Sequence, residues 1–282
     1  MGRQLPQLSF CPHIGVRLKT CFPRSLMAAI AIAAYAVAIP ATAAGDDPIA
    51  TDRPDFVESS AVVGKGRLQV ETSAAVDRTS GNGERETVWS TPTLLRFGVS
   101  DTIELRMESD GAIGQRTSAA GSAATERGYG DLSLGVKWHA MDARDQLPSV
   151  ALLLHADLST GSAAFRDEGT RPSARVAAEW ELDNEMSLGV MPGIGYEKQD
   201  GGKMFGILGL VVGKAWNDRL RSFVEVSSPH IARSANGGSE ASLTVGSAYL
   251  VSNTVQVDTA LARGLNRRTA DLSLTFGLSF KL

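Results

Sequence analysis

The chain has 282 residues, 43% of them hydrophobic but only 6% aromatic, with 29 Gly and a formal net charge of -3. That length accommodates one large domain or two small ones, and the near-neutral charge argues against a nucleic-acid partner, which would need a basic face. Mean hydropathy near zero excludes a polytopic helical membrane protein.

At the N-terminus, Arg17, Lys19 and Arg24 precede the apolar run LMAAIAIAAYAVAI at 26–39, and PATAA follows with Ala41 and Ala43 spaced as an A-x-A cleavage site. This is the order of a secretory signal, and the run is short against the ~20 residues of a transmembrane helix; the alternative is an uncleaved anchor. Residues 1–43 are expected to be a signal peptide, with the mature chain starting near Ala44 or Gly45, and the long stretch before the apolar run allows a start codon downstream of Met1. Both cysteines, Cys11 and Cys21, fall in that segment, so the mature chain is expected to carry no disulfide and no Cys-metal site. No later apolar run approaches ~20 residues; a mature chain that enters a membrane must do so with strands.

Residues 44–66 contain TDRPDFVESS, rich in charge and with Pro54. They are expected to form a periplasmic N-terminal segment, either a loose tail or a plug that enters a lumen. From 67 onward short alternating segments follow: 67–76, 88–98, 103–110, 130–139, 148–158, 173–181, 186–196, 203–213, 219–226, 240–249, 254–262 and 270–282. About twelve strands, an even number, suits a bacterial single-chain barrel.

The connections alternate too. VSDT, LDNE, KAWND and VSNT are short, and their Asn and Asp residues suit tight turns. RTSGNGERE, GQRTSAAGSAATERG, GSAAFRDEGTR and SPHIARSANGGS are long, and are expected to be loops. Long loops at one end and short turns at the other are the pattern of an outer-membrane barrel, whereas Greek-key sandwiches mix connection lengths. The predicted fold is therefore all-β, a transmembrane antiparallel up-and-down β-barrel over 67–282 with both termini periplasmic.

The faces separate cleanly. Ile103, Leu105 and Met107 alternate with Glu104, Arg106, Glu108 and Asp110; Leu132, Leu134, Val136 and Trp138 alternate with Asp131, Ser133, Gly135, Lys137 and His139. A charge facing mid-bilayer lipid costs about 2–4 kcal/mol, so the charged face must point inward. Trp138, Trp180 and Tyr249 then fall at lipid-facing strand ends near short turns, with Trp216 in such a turn, as in an interfacial aromatic belt. The expected lumen or constriction residues are Glu71, Arg96, Glu104, Arg106, Glu108, Lys137, Arg175, Glu179, Arg221, Glu225 and Asp258. Their mixed signs are read either as cross-strand pairs filling the barrel or as a constriction that selects solutes by charge.

The final stretch, LSLTFGLSFKL at 272–282, keeps apolar and small or polar residues in strict alternation to the last position, as a barrel-closing strand would.

Two stretches carry a family resemblance. TDRPDFVESS followed by VGKGRLQVE, and VQVDTALARGLN before the last strand, resemble the ends of a bacterial outer-membrane family named for the meta-pathway of phenol degradation, or simply "transporter". The resemblance implies an outer-membrane location and a channel for passive uptake of small hydrophobic or aromatic solutes; the alternative is a structural or surface-interaction barrel with a closed lumen. The last strand also resembles the signal read by the outer-membrane insertion machinery, through Thr275, Gly277, Phe280 and Leu282. Expected partners are thus outer-membrane lipid, that machinery and a small-molecule solute.

Of the histidines beyond the signal, His155 shares a face with Asp157, which raises a third option, a lipid hydrolase. That chemistry needs an oriented Ser–His pair, yet the sequence has no Gly-x-Ser-x-Gly elbow and no His-Glu-x-x-His. His155 is read as a polar lumen residue, and His139 and His230 as neither ligand nor catalyst. No catalytic residue, cofactor or metal is expected.

Overall fold

The computed structural model describes residues 48–81, 83–198, 202–233 and 238–282. The expected signal peptide, its cleavage site and both cysteines lie outside the described residues.

Among the described residues, fifteen strand segments form one antiparallel sheet. They are β1 (Leu68–Gly81), β2 (Glu84–Ser90), β3 (Thr93–Gly98), β4 (Ile103–Ser109), β5 (Ala112–Ala119), β6 (Ser122–Tyr129), β7 (Leu132–Met141), β8 (Ser149–Leu158), β9 (Arg171–Leu182), β10 (Met186–Glu197), β11 (Lys203–Ala215), β12 (Leu220–Ile231), β13 (Ser242–Ser252), β14 (Val255–Gly264) and β15 (Leu272–Lys281). Three pairs of segments continue one another, β2 with β3, β4 with β5 and β6 with β7, so the wall is a closed barrel of twelve crossings. Closure comes from β15 against β1, in register from Gln69↔Lys281 to Arg78↔Leu272. Beyond them, Leu68 and Leu282 exchange backbone hydrogen bonds at 3.4 and 2.7 Å. The strict alternation of the last strand is thereby explained: it has a neighbour on both sides and two unlike faces along its whole length.

The three breaks lie side by side. Pro92 cannot donate to the ladder, and the chain steps aside there. Thr91 N–H donates to Asp110 O at 3.0 Å, and Gly130 N–H to Gly111 O at 3.0 Å, so the irregularity runs across three crossings. Gly111 is required at this step: its φ is +63°, and an added Cβ would lie 2.4 Å from Thr91 O.

Two expected loops are strands instead. Most of 78–86 extends β1 and β2, and 114–128 forms the β5–β6 hairpin, turning at Ala120 (φ 47°) and Gly121 (φ 84°). Positive φ at both central residues is the type I′ geometry that matches strand twist. The hairpin escapes a periodicity argument because β6 is exposed along nearly its whole length. With neither lipid nor lumen to sort its faces, SAATERGY has no reason to alternate.

Elsewhere alternation is kept. Phe97, Leu105, Leu154, Leu210, Val224 and Phe276 are exposed on the outer face, Phe276 at 60%. Soluble monomers rarely expose contiguous apolar patches beyond a few hundred Å²; a belt around the whole wall requires lipid. Trp138, Trp216 and Tyr249 are exposed at the short-turn end, and Trp180 there donates from Nε1 to Gln146 O at 3.2 Å.

Candidate functional site: the lumen and the segment inside it

Period two brings every expected lumen residue to the inner face, where Glu71, Arg96, Glu104, Arg106, Lys137, Glu225 and Asp258 are all buried. What buries them is the chain's own N-terminal segment, which runs across the lumen before β1. It starts at the short-turn end, where Ile49 N–H donates to Asn253 O at 2.7 Å, and returns to the wall where Gly66 N–H donates to Gly98 O at 2.8 Å.

Asp52 is the hub. Lys137 Nζ donates to both its oxygens at 2.8 Å, Arg106 Nη1 to Oδ2 at 2.5 Å, and Arg96 Nη1 stands 3.4 Å from Oδ2. Burial by itself would raise the Asp52 carboxyl, but the Arg96, Lys137 and Arg106 charges hold it well below the usual carboxylate range. Around the hub, Arg96 Nε donates to Glu104 at 2.8 Å and its Nη1 to Glu71 at 2.9 Å. Charges at this depth are tolerated only when paired and hydrogen-bonded.

The rest of the segment is tied down residue by residue. Arg53 meets Asp258 at 3.4 Å, Asp55 meets Arg221 at 2.8 Å, and Glu58 meets Arg106 and Arg175, each at 2.7 Å. Glu225 accepts the backbone N–H groups of Phe56 (3.1 Å) and Val57 (2.8 Å). Glu179 accepts from Ser60, and Glu104 from Val63 N–H at 3.0 Å. Of the eleven residues expected at the lumen, all but Glu108 thus contact the segment; Glu108 bonds Arg106 and lies 3.0 Å from His155 Nε2. His155 is a buried lumen residue, and His139 Nδ1 lies 2.9 Å from Ser60 O.

Cross-strand pairing therefore describes only part of the network. The partners missed from the sequence are Asp52, Arg53, Asp55 and Glu58. Their signal was present in the charge-dense TDRPDFVESS, which carries both signs, but nothing in its composition distinguishes a tail from an inserted chain.

The segment separates two cavities. One, of about 650 Å³, opens among the short turns and is lined by Thr51, Val57, Ser59, Leu188, Trp216 and Leu250, among others. The second, of about 380 Å³, lies on the side of the strand breaks, with Asp52, Phe56, Glu58, Leu94, Asp131 and Arg171 among its walls. An extended chain presents alternate residues to opposite sides, and residues 56–59 do so here.

The sequence profile of the family described as "Putative MetA-pathway of phenol degradation" matches residues 51–282, from the charged segment to the terminal strand. The chain belongs to this family. No curated protein matches it. Among solved structures, an outer membrane channel from Pseudomonas putida F1 superposes with a TM-score of 0.57 at 13% identity, over 81% of this chain and 99% of its own. The CymD monoaromatic hydrocarbon channel gives a TM-score of 0.43 at 11% identity, over 77% and 88% of the two chains. The Ralstonia pickettii toluene transporter TbuX gives 0.41 at 9% identity, over 77% and 89%. The first likeness is one of fold. Together with the family and the apolar belt, it makes the chain an outer-membrane β-barrel.

Proposed function

We propose that the protein is a passive outer-membrane channel for small hydrophobic or aromatic solutes, and that residues 48–63 plug its lumen. The observation that carries this is the division of the lumen: two cavities of about 650 and 380 Å³ are held apart by a strip of chain rather than by side chains packed wall to wall. Eight-stranded barrels are filled by side chains and sixteen-stranded ones leave a wide channel; twelve crossings leave a conduit that one extended segment can close. The family's tie to phenol degradation and the channel from Pseudomonas putida F1 support transport, and the aromatic class follows from the former. Of the charged wall residues, those bonded to the segment act here as its anchors, Arg175 among them; Glu108 and Arg171 border the smaller cavity and would meet a solute first. The terminal strand, through Thr275, Gly277, Phe280 and Leu282, serves as the recognition signal for the insertion machinery.

A second reading, a barrel with a permanently closed lumen that works through its projecting β1–β2–β5–β6 sheet, draws support from the density of ion pairs around Asp52. Deleting residues 48–63 and recording single channels in planar bilayers separates the two. The channel reading expects the intact chain to open intermittently and the deletion to conduct many-fold more; conductance of the deletion equal to that of the intact chain removes the plug, and an intact chain that never opens favours the closed barrel.

A further inference from the structure

The lumen wall is unlike on its two sides. On β1, β3, β4 and β7 the inward positions carry Glu71, Arg96, Glu104, Arg106 and Lys137. Across from them, on β10 to β14, Gly189, Met191, Gly209, Val211, Phe223 and Ala260 make an apolar strip, bordered by Arg221, Glu225 and Asp258. The segment answers this asymmetry. Between Asp55 and Glu58, both held by arginines, it presents Phe56 and Val57, and these pack onto the strip.

The strip is shaped to receive them. A Cβ at Gly209 would stand 2.6 Å from a Val57 methyl and 3.0 Å from Phe56 Cδ1; one at Gly189 would stand 3.0 Å from the other Val57 methyl. The missing side chains leave a slot the thickness of a ring and a methyl group. Phe56 borders the smaller cavity and Val57 the larger, so the slot is where the two cavities would join along the apolar wall. Glu225 holds the step in place through the two backbone N–H groups.

We infer that this strip is a binding site for one small apolar aromatic ring, and that Phe56 and Val57 occupy it as an internal stand-in which the solute displaces. The inference rests on the channel reading above. A ring entering the polar half of the lumen would desolvate charges with nothing in return. On the strip it replaces one phenyl and one isopropyl group by a similar apolar surface, so the exchange costs little burial. The step then moves away with its Glu225 bonds broken, and the two cavities become continuous.

The geometry supplies its own lock. A Cβ on Gly189 would lie 3.9 Å from Val57 Cβ, inside the roughly 3.5–4.5 Å span of a disulfide; it would also lie 2.6 Å from a Val211 methyl, so the pair is made in a Val211→Ala background. Both native cysteines precede the expected cleavage site, so Val57→Cys with Gly189→Cys in the exported protein gives a single pair. Single-channel recording with toluene in the bath is the readout. In the wild type and in the reduced pair, toluene is expected to raise open probability several-fold. In the oxidised pair the channel stays closed with or without toluene, which also controls for effects on lipid. Gly209→Leu, which fills the strip from the wall side, is expected to open without toluene and to ignore it. An equal toluene response in the oxidised form, or none in the wild type while the 48–63 deletion conducts, overturns the site alone. If the deletion passes no current, the channel reading falls and the site with it.

Discussion

Replacing Asp52 by Asn tests the network at its hub. Asp52 is faced by Lys137 at 2.8 Å, Arg106 at 2.5 Å and Arg96 at 3.4 Å, in a setting where the lysine and arginine side chains are at most 1% exposed. The amide keeps the shape and removes the charge. Lys137 keeps its bond to Ser59 O at 2.8 Å, but its remaining carboxylates, Glu58 at 3.9 Å and Glu104 at 4.0 Å, are not close enough for a strong charge-assisted bond. Breaking a buried pair in this way costs about 3–5 kcal/mol. The cost falls on the docked segment and not on the barrel, whose closure depends on backbone ladders. At about 1.4 kcal/mol per factor of ten, the ratio of closed to open time should fall by roughly two to more than three orders of magnitude. Single-channel dwell times at neutral pH measure it, and the heat-modifiable gel shift of folded barrels checks that assembly is intact. The pH dependence follows in sign. The folded-state value of Asp52 is held below its ordinary 3.8. Its contribution is therefore complete above that value and is lost only as pH falls further, through the depressed folded-state value. Wild-type closure contributed by this residue should be flat from pH 7 to about 5 and weaken only below about 4. Closed times unchanged by Asp52→Asn, or a loss of the folded band in place of a loss of closure, would refute the reasoning.

Two further outcomes test the wall. Among the described residues, the strands of 112–129 pair with β2 and with each other, with Tyr129 O also accepting from Ser162 N–H at 3.0 Å, and Gly130 already bonds Gly111 at 3.0 Å; joining Gly111 directly to Gly130 should leave the heat-modifiable folded band unchanged, and its disappearance would mean the projecting sheet supports the barrel. Phe276 is 60% exposed on the outer face of the closing strand; Phe276→Arg should cost about 2–4 kcal/mol if that face meets mid-bilayer lipid, read as a lower midpoint of urea unfolding in vesicles, and an unshifted midpoint would place the residue outside the hydrocarbon.

Legibility in the sequence tracked how many environments a residue had to satisfy. Arg96 and Phe97 sit on opposite faces of one strand, one buried in the lumen and one 46% exposed to lipid, and such pairs make the barrel readable from period two alone. The β5–β6 hairpin faces one environment on both sides, so its sequence reads as a loop although β5 is laddered to β2 on one side and to β6 on the other. The charged wall was readable as a set of positions, but its chemistry was not. Arg175 is paired with Glu58 and Glu225 with two backbone amides, and those partners lie more than a hundred residues earlier in a stretch with no periodicity.

The choice of charges and hydrogen bonds to seat the segment has a physical logic. Desolvating a carboxylate and a guanidinium consumes most of what their attraction returns, so a seam of ion pairs gives a small net affinity for its many contacts while rejecting any misplaced register that would leave one charge alone. A seam of the same length made of apolar side chains would gain with every residue buried and would seldom release. Asp52, Arg53, Asp55 and Glu58 each find an opposite charge on the wall, and between them Phe56 and Val57 use apolar contact. Specific seating and reversible opening are therefore assigned to different residues of one short stretch. A solute that competes with the two apolar side chains acts on the part of the seam where exchange is easiest, while the ionic anchors on either side guide the segment back once the solute has passed.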